Sequence, residues 1–288
     1  ALNSQMGRQI KAVSRSSNLV NLHLLPHPES FGQVPPDLFV PLADGCPKLS
    51  ILSLKDISHE TQDMNNLLTK KRNKLECLGW RGSMHSSTFV CMGKCTVLKD
   101  MKIGDLFLTD VVPTFDNIPE VNLPSIERII YIDSPIQYLT ALIFASLPSL
   151  ISFTVKNCSG DITTALSIMF PRCQNLQNLN LSEVMVDENI FTLIQSRLLE
   201  KVHLDCCYQW GLHALQHLTD YCIILTELSI SKVTIIPEIG YAIFNIHQLE
   251  KIYLSDCDLV EMDFRLLCHH FLPNLRFLKI KNCILHSS

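Results

Sequence analysis
The chain has 288 residues, 47% of them hydrophobic and only 18% charged, which supplies apolar surface for a long buried core and too little charge for a disordered segment. Its 24 basic and 28 acidic residues leave a net charge of -4 with no long run of one sign, which argues against a general binder of nucleic-acid phosphates. No stretch of about 18 uncharged apolar residues and no basic-then-apolar leader occurs in it, so nothing directs the chain into or across a membrane.

The first predicted strand lies at Leu19/Leu22/Leu24, the opening copy of a motif of the form apolar-x-x-apolar-x-apolar. Behind it come Pro26, Pro28, Pro35, Pro36 and Pro41, which predict a loop rather than a full helix. The next copies are Leu49/Leu52/Leu54, Leu75/Leu78/Trp80 and Leu98/Met101/Ile103, with Trp80 at a core position of the motif. A proline-containing insertion, Pro113 to Pro124, precedes Ile126/Ile129/Tyr131. The pattern continues at Leu150/Phe153/Val155, Leu176/Leu179/Leu181, Leu199/Val202/Leu204, Leu225/Leu228/Ile230, Leu249/Ile252/Leu254 and Leu275/Leu278/Ile280. From Leu19 to Leu275 the first positions of these eleven copies recur at a nearly constant interval, which marks a repeat architecture.

The last two apolar residues of each copy sit two apart, so they share one face of a short strand while the residues beside them point to the other. Between copies, apolar residues recur at helical spacing, as in Ile136, Leu139, Ile143 and Leu147, in Leu212, Leu215 and Leu218, and in Ile239, Ile243 and Ile246. The unit is therefore strand, turn, helix, return. One such unit cannot bury its apolar face alone, and stacked units share a continuous core. The expected fold is α/β: a leucine-rich-repeat solenoid of about eleven repeats spanning 1–288 as a single domain, curved like a horseshoe, with a parallel sheet on the concave face and helices on the convex face. The chain starts at Ala1 rather than at a methionine, and the reading is of a piece of a longer protein with an N-terminal segment missing.

The twelve cysteines are spread over the whole length without a secretory signal, which fits reduced thiols in the cytoplasm or nucleus. Eight of them have a place in the repeat. Cys158, Cys207, Cys257 and Cys283 stand three residues after the final motif position, where a side chain can bond to backbone groups left unpaired by the turn. Cys46, Cys95, Cys173 and Cys222 stand three residues before the first.

The segments Cys46-Pro47-Lys48-Leu49-Ser50-Ile51-Leu52-Ser53-Leu54, Cys173-Gln174-Asn175-Leu176-Gln177-Asn178-Leu179-Asn180-Leu181 and Pro273-Asn274-Leu275-Arg276-Phe277-Leu278-Lys279-Ile280-Lys281-Asn282-Cys283 resemble the cysteine-containing leucine-rich repeats of F-box proteins. These are the substrate receptors of cullin-RING (SCF) ubiquitin ligases. The resemblance covers nearly the whole chain as a repeat type. It implies a substrate-recognition domain, recruited through a Skp-type adaptor and a cullin by an F-box ahead of the repeats. Residues 1–18 hold nothing long and apolar enough to be that F-box, so the partnership is expected only if one lies upstream. The alternative is an interaction scaffold or ligand sensor with no link to ubiquitination.

The strand positions facing away from the core are the expected recognition surface for a protein substrate or peptide. Lys156, His203, Asp205, Tyr253, Lys279 and Lys281 belong to it, and Tyr208 and Trp210 lie in an adjoining loop where they either contact a partner or cover the solenoid edge. Six basic residues on this surface, Lys55, Arg81, Lys102, Lys156, Lys279 and Lys281, favour an acidic partner. Catalytic signals are weak. Cys91, Cys95, Cys206 and Cys207 are too far apart in a quasi-linear fold to share a metal, and Cys268-His269-His270 reads as a core thiol with two surface histidines. There is no glycine-rich phosphate loop, nucleophile elbow or paired-carboxylate signature. The expectation is a binding protein, not an enzyme, with no cofactor, metal, nucleic acid or membrane partner. His203 with Asp205 is the one polar pair that merits inspection for chemistry.

Overall fold
The computed structural model describes residues 12–25, 39–56, 61–109, 123–136, 139, 147–207, 212–260 and 272–286. They fall into two compact units, Ala1–Ser149 and Leu150–Ser288. In the first, β1 (Asn21–Leu24), β2 (Ile51–Lys55), β3 (Cys77–Met84), β4 (Asp100–Leu108) and β5 (Arg128–Ile132) alternate with α1 (Val40–Gly45), α2 (Thr61–Lys71) and α3 (Ser86–Met92). The second unit contains β6 (Ser152–Lys156), α4 (Thr163–Met169), β7 (Asn178–Ser182), a 3-10 helix (Glu188–Leu193), β8 (Lys201–Asp205), α5 (Leu212–Tyr221) and β9 (Glu227–Ser231). It continues through β10 (Thr234–Ile235), α6 (Pro237–Phe244), β11 (Lys251–Ser255), β12 (Asp258–Val260), β13 (Phe277–Lys281) and β14 (Ile284–His286).

Every described strand pairing is parallel, and order in the sheet follows order in the chain. The registers reproduce the motif, because each apolar position lies opposite its counterpart in the next copy: Leu22 faces Leu52, Leu52 faces Leu78 and Leu78 faces Met101. The fold is therefore an α/β leucine-rich-repeat solenoid whose eleven main strands are the eleven motif copies. Three short strands, β10, β12 and β14, form a second parallel sheet that the motif did not announce.

Most strands alternate buried with half-buried or exposed residues, as β2 does over Ile51–Lys55 and β8 over Lys201–Asp205, whereas in β13, at the end of the sheet, every residue is exposed, Leu278 and Ile280 of the motif included. The buried set is the motif: Leu179, Leu181, Val202, Leu204, Leu228 and Ile230 are at most 1% exposed, and Trp80 is 3% exposed. Each such side chain contributes roughly 1.5–3 kcal/mol through burial. Helices supply the other wall of the core, with Leu67 and Leu68 from α2, Leu215 and Leu218 from α5, and Ile239 and Ile243 from α6 all buried. Several connections are shorter than the amphipathic helices expected. The 3-10 turn at Glu188–Leu193 replaces an α-helix in the short step from β7 to β8, and α1 has only 6 residues with proline in its first turn, where the missing N–H is harmless. Residues 26–38, 110–122 and 261–271, which include most of the two proline segments and Cys268-His269-His270, lie outside the described residues, as does most of the expected helix from Ile136 to Leu147.

The residue two places beyond the last motif position has positive φ in each described repeat after the first: Asp56, Gly82, Asp105, Asp133, Asn157, Glu183, Cys206, Lys232, Asp256 and Asn282. It turns the chain out of the strand except in β3 and β4, where pairing resumes beyond it after a shift in register. Aspartate, asparagine and glycine tolerate this conformation best. In six of these positions the N–H donates to the next strand, as in Asn157 to the Ser182 carbonyl at 2.9 Å and Glu183 to the Asp205 carbonyl at 2.7 Å. One place further on, a small polar side chain stitches neighbouring repeats in some copies, while Leu106, Val184 and Val233 stand there in others. The Cys207 thiol donates to the Leu181 carbonyl at 3.2 Å and Cys257 to the Ile230 carbonyl at 3.7 Å, each one strand back. Ser134 fills the same position, accepting from the Leu106 N–H at 2.9 Å and donating to the Ile132 carbonyl at 2.7 Å. Ser134→Ala leaves that buried N–H without its partner, and a loss of about 1–2 kcal/mol is expected in urea unfolding; an unchanged midpoint would show that the bond contributes nothing.

The four cysteines before the motif, Cys46, Cys95, Cys173 and Cys222, are all at most 1% exposed. Burial pushes the thiols of Cys95, Cys173 and Cys222, and of Cys207, up to about 12, which keeps them protonated and unreactive. Cys46, Cys77, Cys91, Cys95, Cys207, Cys222, Cys257 and Cys283 form no disulfide.

Candidate functional site
Side chains on the sheet face turned away from the helices form a grid. Strand neighbours stand about 4.8 Å apart and alternate residues along a strand about 6.6 Å apart. In the second unit the register aligns three rows across six strands. The first is Ser152, Asn178, Lys201, Glu227, Lys251 and Phe277; the second is Thr154, Asn180, His203, Ser229, Tyr253 and Lys279; the third is Lys156, Ser182, Asp205, Ser231, Ser255 and Lys281. Six of the eight residues expected at the recognition surface fall in the second and third rows. Tyr208 and Trp210 lie outside the described residues.

His203 and Asp205 do not act on each other. Nε2 of His203 is 3.5 Å from Oε1 of Glu227, whose other oxygen is 3.5 Å from Nζ of Lys251. The Glu227 side chain is 13% exposed, so this acid sits low on the face between two basic groups. Asp205 instead accepts hydrogen bonds from the hydroxyls of Ser182, at 3.1 Å, and Ser231, and Lys232 approaches it at 4.0 Å. A nucleophile needs its base within hydrogen-bond reach. Here the serines donate to the acid and the imidazole faces a different acid, so the pair is a structural brace across β7, β8 and β9.

Burial of the His203 ring pushes its pKa down, opposed by Glu227 and aided by Lys201. The unfolded ring titrates at about 6.5. Below that pH the unfolded chain takes up a proton that the folded chain accepts less readily, so stability is lost as pH falls through the window between the two values. His203→Gln is expected to flatten the acid limb of a plot of urea midpoint against pH; an identical limb in the variant would assign it to other groups.

The first unit has the same grid with a gap in it. Gly79 stands between Ser53 and Lys102 in the row that starts at His23, with the Ser53 side chain close over it, and it lines a depression of about 220 Å³ together with Cys77, Asp100 and Arg128. Asp100 is held by Arg128 at 3.1 Å and accepts from the Cys77 thiol at 3.5 Å. Gly104, two residues beyond Lys102 on the same face, is buried, with the stem of Arg81 lying over it. From there the guanidinium reaches the carboxylates of Asp105 and, at 3.9 Å, Asp133.

Asp100 and Arg128 in the first unit, and the row of Lys201, Glu227 and Lys251 in the second, were not among the sequence candidates. Extending the two-residue alternation one step back along each strand would have found them. Among the described residues no group of three or more His, Cys, Asp or Glu side chains is placed to hold a metal ion, and no helix is long and apolar enough to cross a membrane.

Among solved structures, the chain is similar to an internalin from Listeria monocytogenes at 13% identity, with a TM-score of 0.57 over 99% of this chain and 90% of that one. A TDR receptor aligns with 98% of this chain at 15% identity and a TM-score of 0.43, and this chain spans 58% of its length. At such identities the internalin likeness is one of fold, the leucine-rich repeat. No family profile and no curated protein matches the sequence.

Proposed function
We propose that this chain is a protein-binding leucine-rich-repeat module, and that it serves as the substrate-recognition domain of an F-box-type adaptor in a cullin-RING (SCF) ubiquitin ligase. The observation that carries the binding role is the grid itself. Side chains of mixed chemistry are held at fixed spacing on rigid strands, and their own acids are braced by neighbouring groups. Such a preorganised surface suits a folded protein or a peptide. On the described face the acids serve as braces between strands, and the reading is of a binding surface.

The finer assignment is supported by the cysteine pattern of the sequence together with the bonds those thiols make. Cys207 and Cys257 tie their repeats to the preceding strand, and Cys46, Cys95, Cys173 and Cys222 fill the core ahead of the motif. In this reading the protein works in the cytoplasm or nucleus, and an F-box upstream of Ala1 recruits a Skp-type adaptor and a cullin. A scaffold or ligand sensor outside the ubiquitin system would use the same solenoid and the same open face. Affinity purification of the protein expressed from its full gene, followed by mass spectrometry, separates the two. Recovery of the adaptor and cullin supports the receptor, while their reproducible absence beside other bound proteins supports the scaffold.

A further inference from the structure
We infer that the part of the open face made by β11 and β13 binds an extended acidic peptide carrying one aromatic or large aliphatic side chain. The inference rests on the proposal that this face is the recognition surface, and it specifies the partner's chemistry.

Charge is the first ground. The three rows of the second unit hold five lysines against two acids. Both acids are already engaged, Glu227 by His203 and Lys251 and Asp205 by two serine hydroxyls. Among the described residues, Lys279 and Lys281 have no carboxylate within 4 Å. The face therefore presents uncompensated positive charge on a protein whose net charge is -4, concentrated at β13 and opposed to the sign of the whole.

The second ground is an aromatic pair beside those lysines. Tyr253 and Phe277 pack with ring centroids 5.2 Å apart and planes tilted by 40°, and Phe277 remains 46% exposed. A phenylalanine projecting from the open side of a strand has no core to enter. Together the rings offer an apolar ledge of the kind that anchors a partner's side chain.

Spacing is the third. Lys279 and Lys281 are alternate residues of one strand, about 6.6 Å apart, which is also the repeat of side chains on one face of an extended peptide. A peptide with acidic residues two apart can meet both ammonium groups while a neighbouring apolar side chain rests on the Tyr253–Phe277 ledge. Single-stranded nucleic acid also combines negative charge with stacking, but Glu227 and Asp205 interrupt the basic track that a continuous phosphate backbone would require.

The test is to pan a library of displayed short random peptides against the full chain. Enriched peptides are expected to carry two or more Asp or Glu residues near an aromatic or large aliphatic residue, and to bind more weakly as salt rises. Both the Lys279→Glu/Lys281→Glu variant and Phe277→Ser change exposed side chains and should keep the wild-type melting curve. Each is expected to weaken the selected peptides by about tenfold or more. Enrichment of neutral or basic peptides, enrichment of none, or unchanged affinity in the folded variants would overturn the inference. So would tighter binding of a uridine-rich RNA oligomer through the same lysines. If the peptides fail while the Skp-type adaptor is recovered, the receptor stands and this surface assignment falls; acidic peptides without the adaptor give the reverse.

Discussion
Leu228→Asp is expected to abolish the cooperative unfolding transition of the second unit, seen as loss of circular dichroism and of a thermal midpoint. Leu228 is fully buried and stands in a core row with Phe153, Leu179, Val202 and Ile252, one residue from each successive strand. Truncating such a leucine costs about 2–5 kcal/mol, and an aspartate there adds an unpaired carboxylate with no donor to receive it. The sum approaches the roughly 5–15 kcal/mol that holds a domain together. Leu179→Asp should act the same way, because it enters the same row. Ser229→Asp, one residue along and on the opposite face, should shift stability by no more than about 0.5 kcal/mol. Native stability in Leu228→Asp would mean that the strand is turned over.

Gly45→Ala is expected to destabilise the first unit by about 3 kcal/mol or more, measured as a drop in the urea midpoint. The sign is informative because glycine to alanine in a helix ordinarily stabilises by up to about 1 kcal/mol. Gly45 closes α1, and a methyl group built on it would overlap the carbonyl oxygen of Ser14 and lie 2.8 Å from its carbonyl carbon. Both are backbone atoms of a residue that is only 6% exposed. Relief requires moving one chain segment against another. A neutral or stabilising result would show that residues 12–16 do not pack against the end of α1.

Much of the fold was legible because a leucine-rich repeat writes its geometry as a spacing. The step from Leu176 to Leu199 in the sequence is the step from Asn178 to Lys201 in the sheet, since a strand that buries the same two positions in every repeat cannot slip without exposing them. The turn after each strand was harder to read. Asp56, Gly82 and Asn157 have the chemistry of a left-handed position, but Glu183, Cys206 and Lys232 occupy it as well. There the stacked repeats impose a conformation that the side chain does not choose. The site was legible as a set of faces and not as a set of pairs. Alternation put His203 and Asp205 on the open side, but which carboxylate each meets depends on the residue brought alongside by the next strand. The sequence interval between strands does not reveal that Glu227 slots beside His203 and Ser231 beside Asp205.

The registers also bear on biosynthesis. Each described main-sheet pairing joins residues one repeat apart, from Cys77 with Asp100 at the short end to Asn21 with Ile51 at the long end. Within each unit, therefore, the entropy lost on closing the intervening segment is nearly the same at each step. No main strand has to wait for a distant one. A ribosome releasing this chain delivers the strands in the order in which they pair, and each new repeat can dock on its predecessor as it emerges. The long-range contacts that slow other parallel sheets are here replaced by a succession of short closures.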